Sequence, residues 1–512
     1  GRLWMLIRAM YRQVASVVRT DTDEAWFETE TGLKQGSVLS PMLFNLLIDE
    51  LIEHLNQTGL GVKLGDRKLA CLLFADDVLL IADSAEELQQ LLDVAAQFAE
   101  KWLMRFSASK SAVLVFGSDR SDCLQQEWKL GADLIKRTDK YVYLGVTLTD
   151  SGEWRAQAAK LAGAARSAAE KLSVAGIVGP WSKMRTNKMF LQAFVRSTVQ
   201  FASAAIPLFV RGRRDEAKLL ENAQNFAARA VSGVQSAKGA ALELAMPSVR
   251  ACHALQMFGF FQHVMQAPRD SIVRCAMTVA QNSANTPVES SKWAVQLNSL
   301  TSQYRVTLEG AEEKSWLAQV KKTVLDADLR EQTQQAREAG SLAARAATET
   351  LEDTGSLPSL LDFTELESIA AEKRQLLLAL RSGGALLMPA LQARGVLQSG
   401  RCLCCQTGAT ETDEHLLIHC SAFIDLRRVL RQRLARRLHE LGQEGQTEIS
   451  AWNELDEEQW LRRLLLLHVV ARDCTRAEVE SADVVSSWIA ELWSKRAELC
   501  EKACTGISDF LL

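Results

Sequence analysis

The stretch Ala70-Cys71-Leu72-Leu73-Phe74-Ala75-Asp76-Asp77-Val78-Leu79-Leu80-Ile81-Ala82 sets two adjacent carboxylates between two apolar runs. Each run has strand length, and the tetrapeptide Phe74–Asp77 reads as the bend of a hairpin. Like charges side by side repel one another and lose hydration against apolar strands, so the pair is costly unless a cation sits there. A hard divalent ion is the natural occupant, because carboxylate oxygens are its preferred ligands. A solvated turn is the competing reading, since Asp also suits turns. The surroundings decide between them.

Upstream, the apolar spacing of Leu3, Leu6, Ile7, Met10 and Tyr11 predicts a helix over residues 1–20, followed by a short hairpin arm over 24–33. Ser40 suits an N-cap and Pro41 a first helical turn. Apolar residues from Leu43 to Leu55 then recur at helical spacing, with an end expected near Gly59. Downstream, a helix is expected from Ala85 to Lys101, a strand at Val113–Phe116, and another over Tyr141–Leu148 with a glycine in its middle. After Trp154 the pattern turns to nearly continuous helix, in Ala-rich segments 155–172, 183–206 and 214–234. Residues 283–292 and 352–358 read as polar linkers, and 303–350 as a sparsely packed helix.

Four segments in order resemble the reverse transcriptases of non-LTR (LINE-type) retrotransposons. Gly32-Leu-Lys-Gln-Gly-Ser-Val-Leu-Ser-Pro-Met-Leu-Phe-Asn45 is similar to the segment before the active-site hairpin, and Phe74-Ala-Asp-Asp77 to the hairpin itself. Trp102 to Lys110-Ser111 resembles the next motif, which ends in a lysine, and Lys140-Tyr-Val-Tyr-Leu-Gly-Val146 resembles the primer-grip hairpin. The resemblance implies that Asp76 and Asp77 hold two Mg²⁺ ions for nucleotidyl transfer, with Lys110 reaching the leaving pyrophosphate. It also implies that Gln35, Gly36, Ser40, Pro41, Asn45, Tyr143, Leu144 and Gly145 line the primer–template. The physics agrees with this. Two-metal transfer needs carboxylates holding ions about 4 Å apart, glycines at 32 and 36 let backbone approach a base pair, and a helix N-terminus after Ser40 favours phosphate.

One element of the pattern is lacking. The family's metal cage takes a third carboxylate from a strand that belongs ahead of the first helix, together with the fingers. The expectation is therefore a partial palm that depends on a missing N-terminal polymerase half and is inactive as this chain. The partners implied are an RNA template, a DNA primer or target, and dNTPs. The rival reading is a catalytically dead, zinc-dependent nucleic-acid-binding relic.

The zinc in that reading comes from a second constellation, Cys402-x2-Cys405-x9-His415-x4-Cys420. Three thiolates and one imidazole make a closed tetrahedral structural zinc site, with Cys404 and His419 left open as substitutes. The segment from Thr412 to Phe423 is also similar to the CCHC segment downstream of the polymerase in the same elements. Next come Arg427, Arg428, Arg431, Arg433, Arg436 and Arg437, opposite an apolar stripe of Leu426, Leu430, Leu434 and Leu438. A basic face of this kind suits phosphate tracking, and an ordinary solvated helix face is the alternative.

Composition sets the bounds. A chain of 512 residues implies several domains, and a net charge of -4 leaves nucleic-acid binding to local basic patches. The eleven cysteines are mostly scattered, which fits a reducing compartment, nuclear or cytoplasmic and not secreted. No membrane span and no signal peptide are expected. The fold class predicted is an α+β partial right-hand palm followed by a mainly α-helical chain with a small zinc-binding module. Its divisions are palm 1–154, thumb-like helices 155–282, connector 283–395, zinc segment and basic helix 396–445, and C-terminal helices 446–512. Residues 446–512 show a Trp/Leu stripe (Trp452, Trp460, Leu464, Trp488) rather than the strands of a nuclease, so no endonuclease is expected there.

Overall fold

The computed structural model describes residues 1–338 apart from 13, 30–31, 35, 118–122, 124–125, 180, 183, 208–213, 234–239, 242–243, 245 and 284–290. It also describes 376–503 apart from 378, 381–384, 386, 394–396, 406, 457–458 and 461–475. Gln35, most of the 283–292 linker, all of 352–358, the end of the 303–350 segment and Leu464 therefore lie outside the described residues. The chain divides into two compact units, Gly1–Tyr141 with Thr149–Gly152, and Val142–Leu148 with Glu153–Leu512.

The first unit alternates helices and hairpins. Helix α1 (Arg2–Met10) stops well short of residue 20, and strands β1 (Val14–Arg19) and β2 (Glu24–Thr29) pair antiparallel from Val14↔Thr29 to Arg19↔Glu24. This corrects the long first helix. Val14, Val17 and Val18 are β-branched and favour a strand, and Thr20 accepts from Asp23 N–H to close the turn. Helix α2 (Ser40–Gln57) carries Pro41 in its first turn, while Thr58 and Gly59 (φ +64) end it as expected. Strands β3 (Val62–Leu64) and β4 (Arg67–Leu69) form a small hairpin, followed by β5 (Cys71–Phe74) and β6 (Asp77–Leu80). Helix α3 (Ala85–Lys101) starts as predicted, with Ser84 accepting from Glu87 N–H.

Ile48, Leu51 and Leu55 of α2 meet Leu91, Ala95 and Phe98 of α3 over Ala70 and Cys71. This core is what supports the acidic hairpin. Strand β7 (Ala112–Val113) is shorter than predicted and runs parallel to β9 (Asp133–Arg137), which also pairs with β8 (Trp128–Leu130). The single strand read from spacing over Tyr141–Leu148 is a hairpin, as the resemblance implied, of β10 (Lys140–Tyr143) and β11 (Val146–Thr149), with Leu144 (φ 47) and Gly145 (φ 81) as its turn. Two consecutive positive φ values are what a tight two-residue hairpin turn requires.

The second unit is helical. Helix α4 (Arg155–Val174) buries Ala158, Ala162, Ala165 and Ala169, and their small side chains let α7 (Arg214–Ser232) approach through Ala223, Ala227 and Ala228. Between them, α5 (Met184–Phe190) continues into a π-helical stretch, Leu191–Arg196, and then α6 (Ser197–Val199). Helices α8 (Val249–Gln266), α9 (Ile272–Ser283), α10 (Lys292–Tyr304) and α11 (Trp316–Glu338) enclose a second core of Phe258, Phe261, Leu297, Leu300, Trp316 and Val320. The helix predicted from 303 begins only at Trp316, because Arg305 (φ 53) ends α10 in a left-handed cap. Farther on lie α12 (Met388–Ala393), α13 (Ile424–His439), α14 (Gln443–Asn453) and α15 (Arg476–Ala503). A single hydrophobic core runs from Ala158 to Trp493, so residues of α4, α7, α13 and α15 share it. No described helix is long and apolar enough to cross a membrane.

Candidate active site and metal centre

The acidic hairpin has an apolar base and a charged tip. Phe74 pairs with Asp77, leaving Ala75 and Asp76 as the turn. Ile81 N–H donates to Ala70 C=O (2.8 Å) and extends the pairing at the base. Ala75 sits at φ 52, a left-handed conformation that costs a non-glycine residue about 1–2 kcal/mol. Hairpin turns of two residues ordinarily place Asn or Gly there. A positive φ at the first turn residue suits a two-residue hairpin and sets two exposed carboxylates at its tip. Below it, burial pushes the Cys71 thiol above its ordinary range. Among the described residues, no third Asp, Glu, His or Cys groups with Asp76 and Asp77 as a metal-ligand set.

The segment before α2 is folded by its own polar atoms. Ser40 is buried and inside the helix rather than capping it; its Oγ donates to Lys34 C=O (2.7 Å) and lies 3.0 Å from Tyr11 Oη. The N-cap expectation is corrected accordingly, and Ser40 acts as the tie that shapes the Gly32–Ser40 loop. Gly36 (φ +79) has open space where a Cβ would stand, so backbone conformation and not crowding demands glycine there. Pro41 and Asn45 are exposed on the first turns of α2. Lys110 lies in a turn before β7, and its carbonyl accepts from Tyr141 Oη–H (2.7 Å).

At the β10–β11 turn, Tyr143 is half-buried and Leu144 exposed. A Cβ on Gly145 would come within 2.9 Å of the Phe201 ring. Lys160 Nζ donates to Gly145 C=O (3.1 Å), and Gln157 Oε1 accepts from Thr147 N–H (2.9 Å). These supports of the turn, with Tyr11, were missed by sequence reasoning. The one available signal was Gln157, an amide within an Ala-rich helical segment, which the structure buries fully.

The second site gathers its four predicted residues. The ligand atoms of Cys402, Cys405, His415 and Cys420 all lie within 4.8 Å of one another. Sulfurs in a tetrahedral zinc–thiolate site stand about 3.8 Å apart, given Zn–S bonds of about 2.3 Å. Cys402 and Cys420 are 3.9 Å apart, and Cys405 Sγ is 3.4 Å from His415 Nε2. The donor set fits zinc. Cys402 N–H donates to Ala409 C=O (2.8 Å) and closes the knuckle, which turns at Gly408. His415–His419 is π-helical, and Cys420 N–H reaches back five residues to His415 C=O (2.6 Å). A wider turn is what brings side chains five apart onto one face, where an α-helix would splay them. Of the substitutes left open, His419 is exposed, whereas Cys404 groups with Cys402 and Glu411 as a second possible ligand set and also lies against Cys500. Cys402 is driven down by the hydrogen bonds from Cys404 and Cys420, and those two thiols are driven up by Cys402.

The arginine helix keeps its apolar face, with Leu430, Leu434 and Leu438 buried, but much of its charge is engaged. Arg428 pairs with Asp425 (2.9 Å), Arg433 with Glu491 (2.8 Å) and Arg437 with Glu440 (2.6 Å). Arg431 lies over the Trp460 ring at 5.3 Å, Arg427 is buried and Arg436 is exposed.

Residues 2–148 match the family described as Reverse transcriptase (RNA-dependent DNA polymerase). The N-terminal part of the chain therefore carries a reverse transcriptase domain. Its relatives come from mobile elements of the non-LTR class. The chain is 35% identical over 141 residues to the Pol polyprotein of retrotransposable element R2DM of Drosophila melanogaster, covering 26% of this chain and 13% of that one. It is 38% identical over 94 residues to the R2 Pol polyprotein of Popillia japonica, covering 18% of this chain and 13% of the relative. It is 27% identical over 173 residues to the RNA-directed DNA polymerase of the jockey element of Drosophila funebris, covering 33% and 18% respectively. The matches thus span less than a fifth of each of these relatives.

Proposed function

We propose that the chain is the palm-to-zinc portion of a non-LTR retrotransposon polyprotein whose activity is RNA-directed DNA synthesis. The observation that carries this is the strained two-residue turn at Ala75-Asp76, which presents Asp76 and Asp77 at the tip of a buried-based hairpin. Their carboxylates are the donor type that Mg²⁺ prefers, and they fit as part of a cage completed by an acid outside this set. Bound Mg²⁺ would supply activation of the primer 3′-oxygen and neutralisation of the leaving phosphates. The chain's own parts position the substrates. The loop tied by Ser40 and the α2 N-terminus face the nucleic acid, Lys110 offers a point charge to pyrophosphate, and the Tyr143-Leu144-Gly145 turn grips the primer. Template RNA, primer DNA and dNTPs follow as partners.

Metal binding at the hairpin is testable without polymerisation. With Fe²⁺ in place of Mg²⁺ and peroxide with ascorbate added, backbone cleavage is expected around residues 74–78 and is expected to vanish in the Asp76→Asn/Asp77→Asn double variant. Cleavage that persists unchanged in the variant would remove the metal reading.

Zinc at Cys402, Cys405, His415 and Cys420 is the structural half of the proposal, and the 3.9 Å and 3.4 Å spacings support it. Mass spectrometry of the native chain should give one zinc per chain, lost in Cys405→Ser and in His415→Ala. Retention of zinc in both would refute these ligands. A second reading, a nucleic-acid-binding protein without catalysis, rests on the cysteine–histidine group and the arginine-rich helix α13 that follows it.

A further inference from the structure

Two further thiols lie beside the cysteine–histidine group, and one of them, Cys404, also comes within ligand distance of Cys402 and Glu411. Cys404 Sγ and Cys500 Sγ are 3.6 Å apart, although 96 positions separate them in sequence, and both are free cysteines. The approach is fixed from both sides. Cys500 stands one turn beyond Arg496 on α15, and Arg496 is fully buried with Nε 3.0 Å and Nη2 2.7 Å from the Glu411 carboxylate. Glu411 also accepts from Met388 N–H (2.8 Å) and follows the Arg401↔Thr410 bridge of the knuckle. The buried ion pair therefore holds the end of α15 in register with the knuckle. On the other side, Cys404 is flanked in sequence by Cys402 and Cys405, both members of the metal group. Cys500 is fully buried among Met388, Leu391 and Ala497, whereas Cys404 is only half-buried. Of the two residues, only Cys404 keeps some surface exposure. A disulfide bond of about 2.05 Å needs roughly 1.5 Å of further approach, within the reach of side-chain adjustment.

We propose that Cys404 and Cys500 are a reversible redox latch, oxidised by hydrogen peroxide to a disulfide that ties α15 to the knuckle. The Cys404 sulfur attacks the peroxide O–O bond and takes up one oxygen as sulfenic acid, while its proton and the departing hydroxide leave together as water. The Cys500 sulfur then displaces that hydroxyl, which leaves as a second water. Two thiols lose two electrons and one peroxide gains them. In a reducing compartment such a bond is transient, which is the form regulatory disulfides take.

The test is peroxide treatment of the full chain, once zinc-loaded and once after chelation, followed by thiol blocking and tandem mass spectrometry. A Cys404–Cys500 linkage is expected in both arms. It should be reversed by dithiothreitol, lost in Cys404→Ser and lost in Cys500→Ser, and the zinc content of the loaded arm should not change. Free thiols at both positions after oxidation, or Cys404 joined to another cysteine, would overturn the latch. A failure of the zinc reading shows separately, as a Cys402–Cys420 bond in the unchelated arm, since those sulfurs are 3.9 Å apart.

Discussion

Ala75 sets the geometry of the acidic hairpin tip through one dihedral. An alanine at φ 52 in a hairpin turn is retained against its local preference, and the two residues that follow it are Asp76 and Asp77. The sequence shows the two acids but not the strain, because alanine gives no hint of a left-handed backbone. His253 makes the complementary point in the interior. It is buried in α8 beside Gln296 and Met257, and burial pushes its imidazole down to about 3 from an ordinary 6.5. The unfolded chain takes up a proton below pH 6.5 that the folded chain refuses until about pH 3. This contribution to stability is complete above pH 6.5 and is lost progressively as the pH falls towards 3, with a slope of up to ~1.4 kcal/mol per pH unit. Urea unfolding between pH 7 and 4 should show a shallower pH dependence for His253→Leu than for the native chain, and equal slopes would contradict this assignment.

Elements were legible where amphipathic spacing and a cap coincide. Ser84 followed by Leu88, Leu91, Leu92, Ala95 and Phe98 gives α3 its full Ala85–Lys101 extent. Legibility failed where turn chemistry competed with periodicity. By spacing alone Leu144-Gly145 reads as a strand interior, and only the resemblance pointed to the hairpin that the paired positive φ values make; the valines after Met10 carry β1 rather than more helix. The His415–Cys420 spacing was legible as one turn, but only the π-helical form explains how five residues return to one face. The arginines of α13 are a case in which spacing shows a face and not its occupancy. Surface ion pairs such as Arg428–Asp425 contribute only about 0–1 kcal/mol and yield readily to phosphate. Changing Arg428, Arg433 and Arg436 to alanine should lower the slope of log affinity for single-stranded RNA against log salt by about 2, at roughly 0.7 per phosphate contact. An unchanged slope would assign the face to intramolecular pairing alone.

At the scale of the whole molecule, each unit keeps its own core. The acidic hairpin rests on α2 and α3, and the knuckle shares a core with α4, α7, α13 and α15. The resemblance read from four ordered segments matches the reverse transcriptase assignment of residues 2–148, and the helices beyond were foreseen only as helices. Their packing depends on contacts such as Arg496 with Glu411, 85 positions apart, which no local pattern announces. The central claim is that Asp76 and Asp77 are two members of a three-acid polymerase cage. Primer extension on an RNA template with Mg²⁺ tests it most directly, using the 512-residue chain alone and the same chain fused behind the upstream part of the Drosophila melanogaster R2 relative. No extension is expected from the chain alone, and the fusion should extend the primer in a way that Asp76→Asn abolishes. Robust Asp76-dependent synthesis by the chain alone, or fusion activity indifferent to Asp76→Asn, would contradict it.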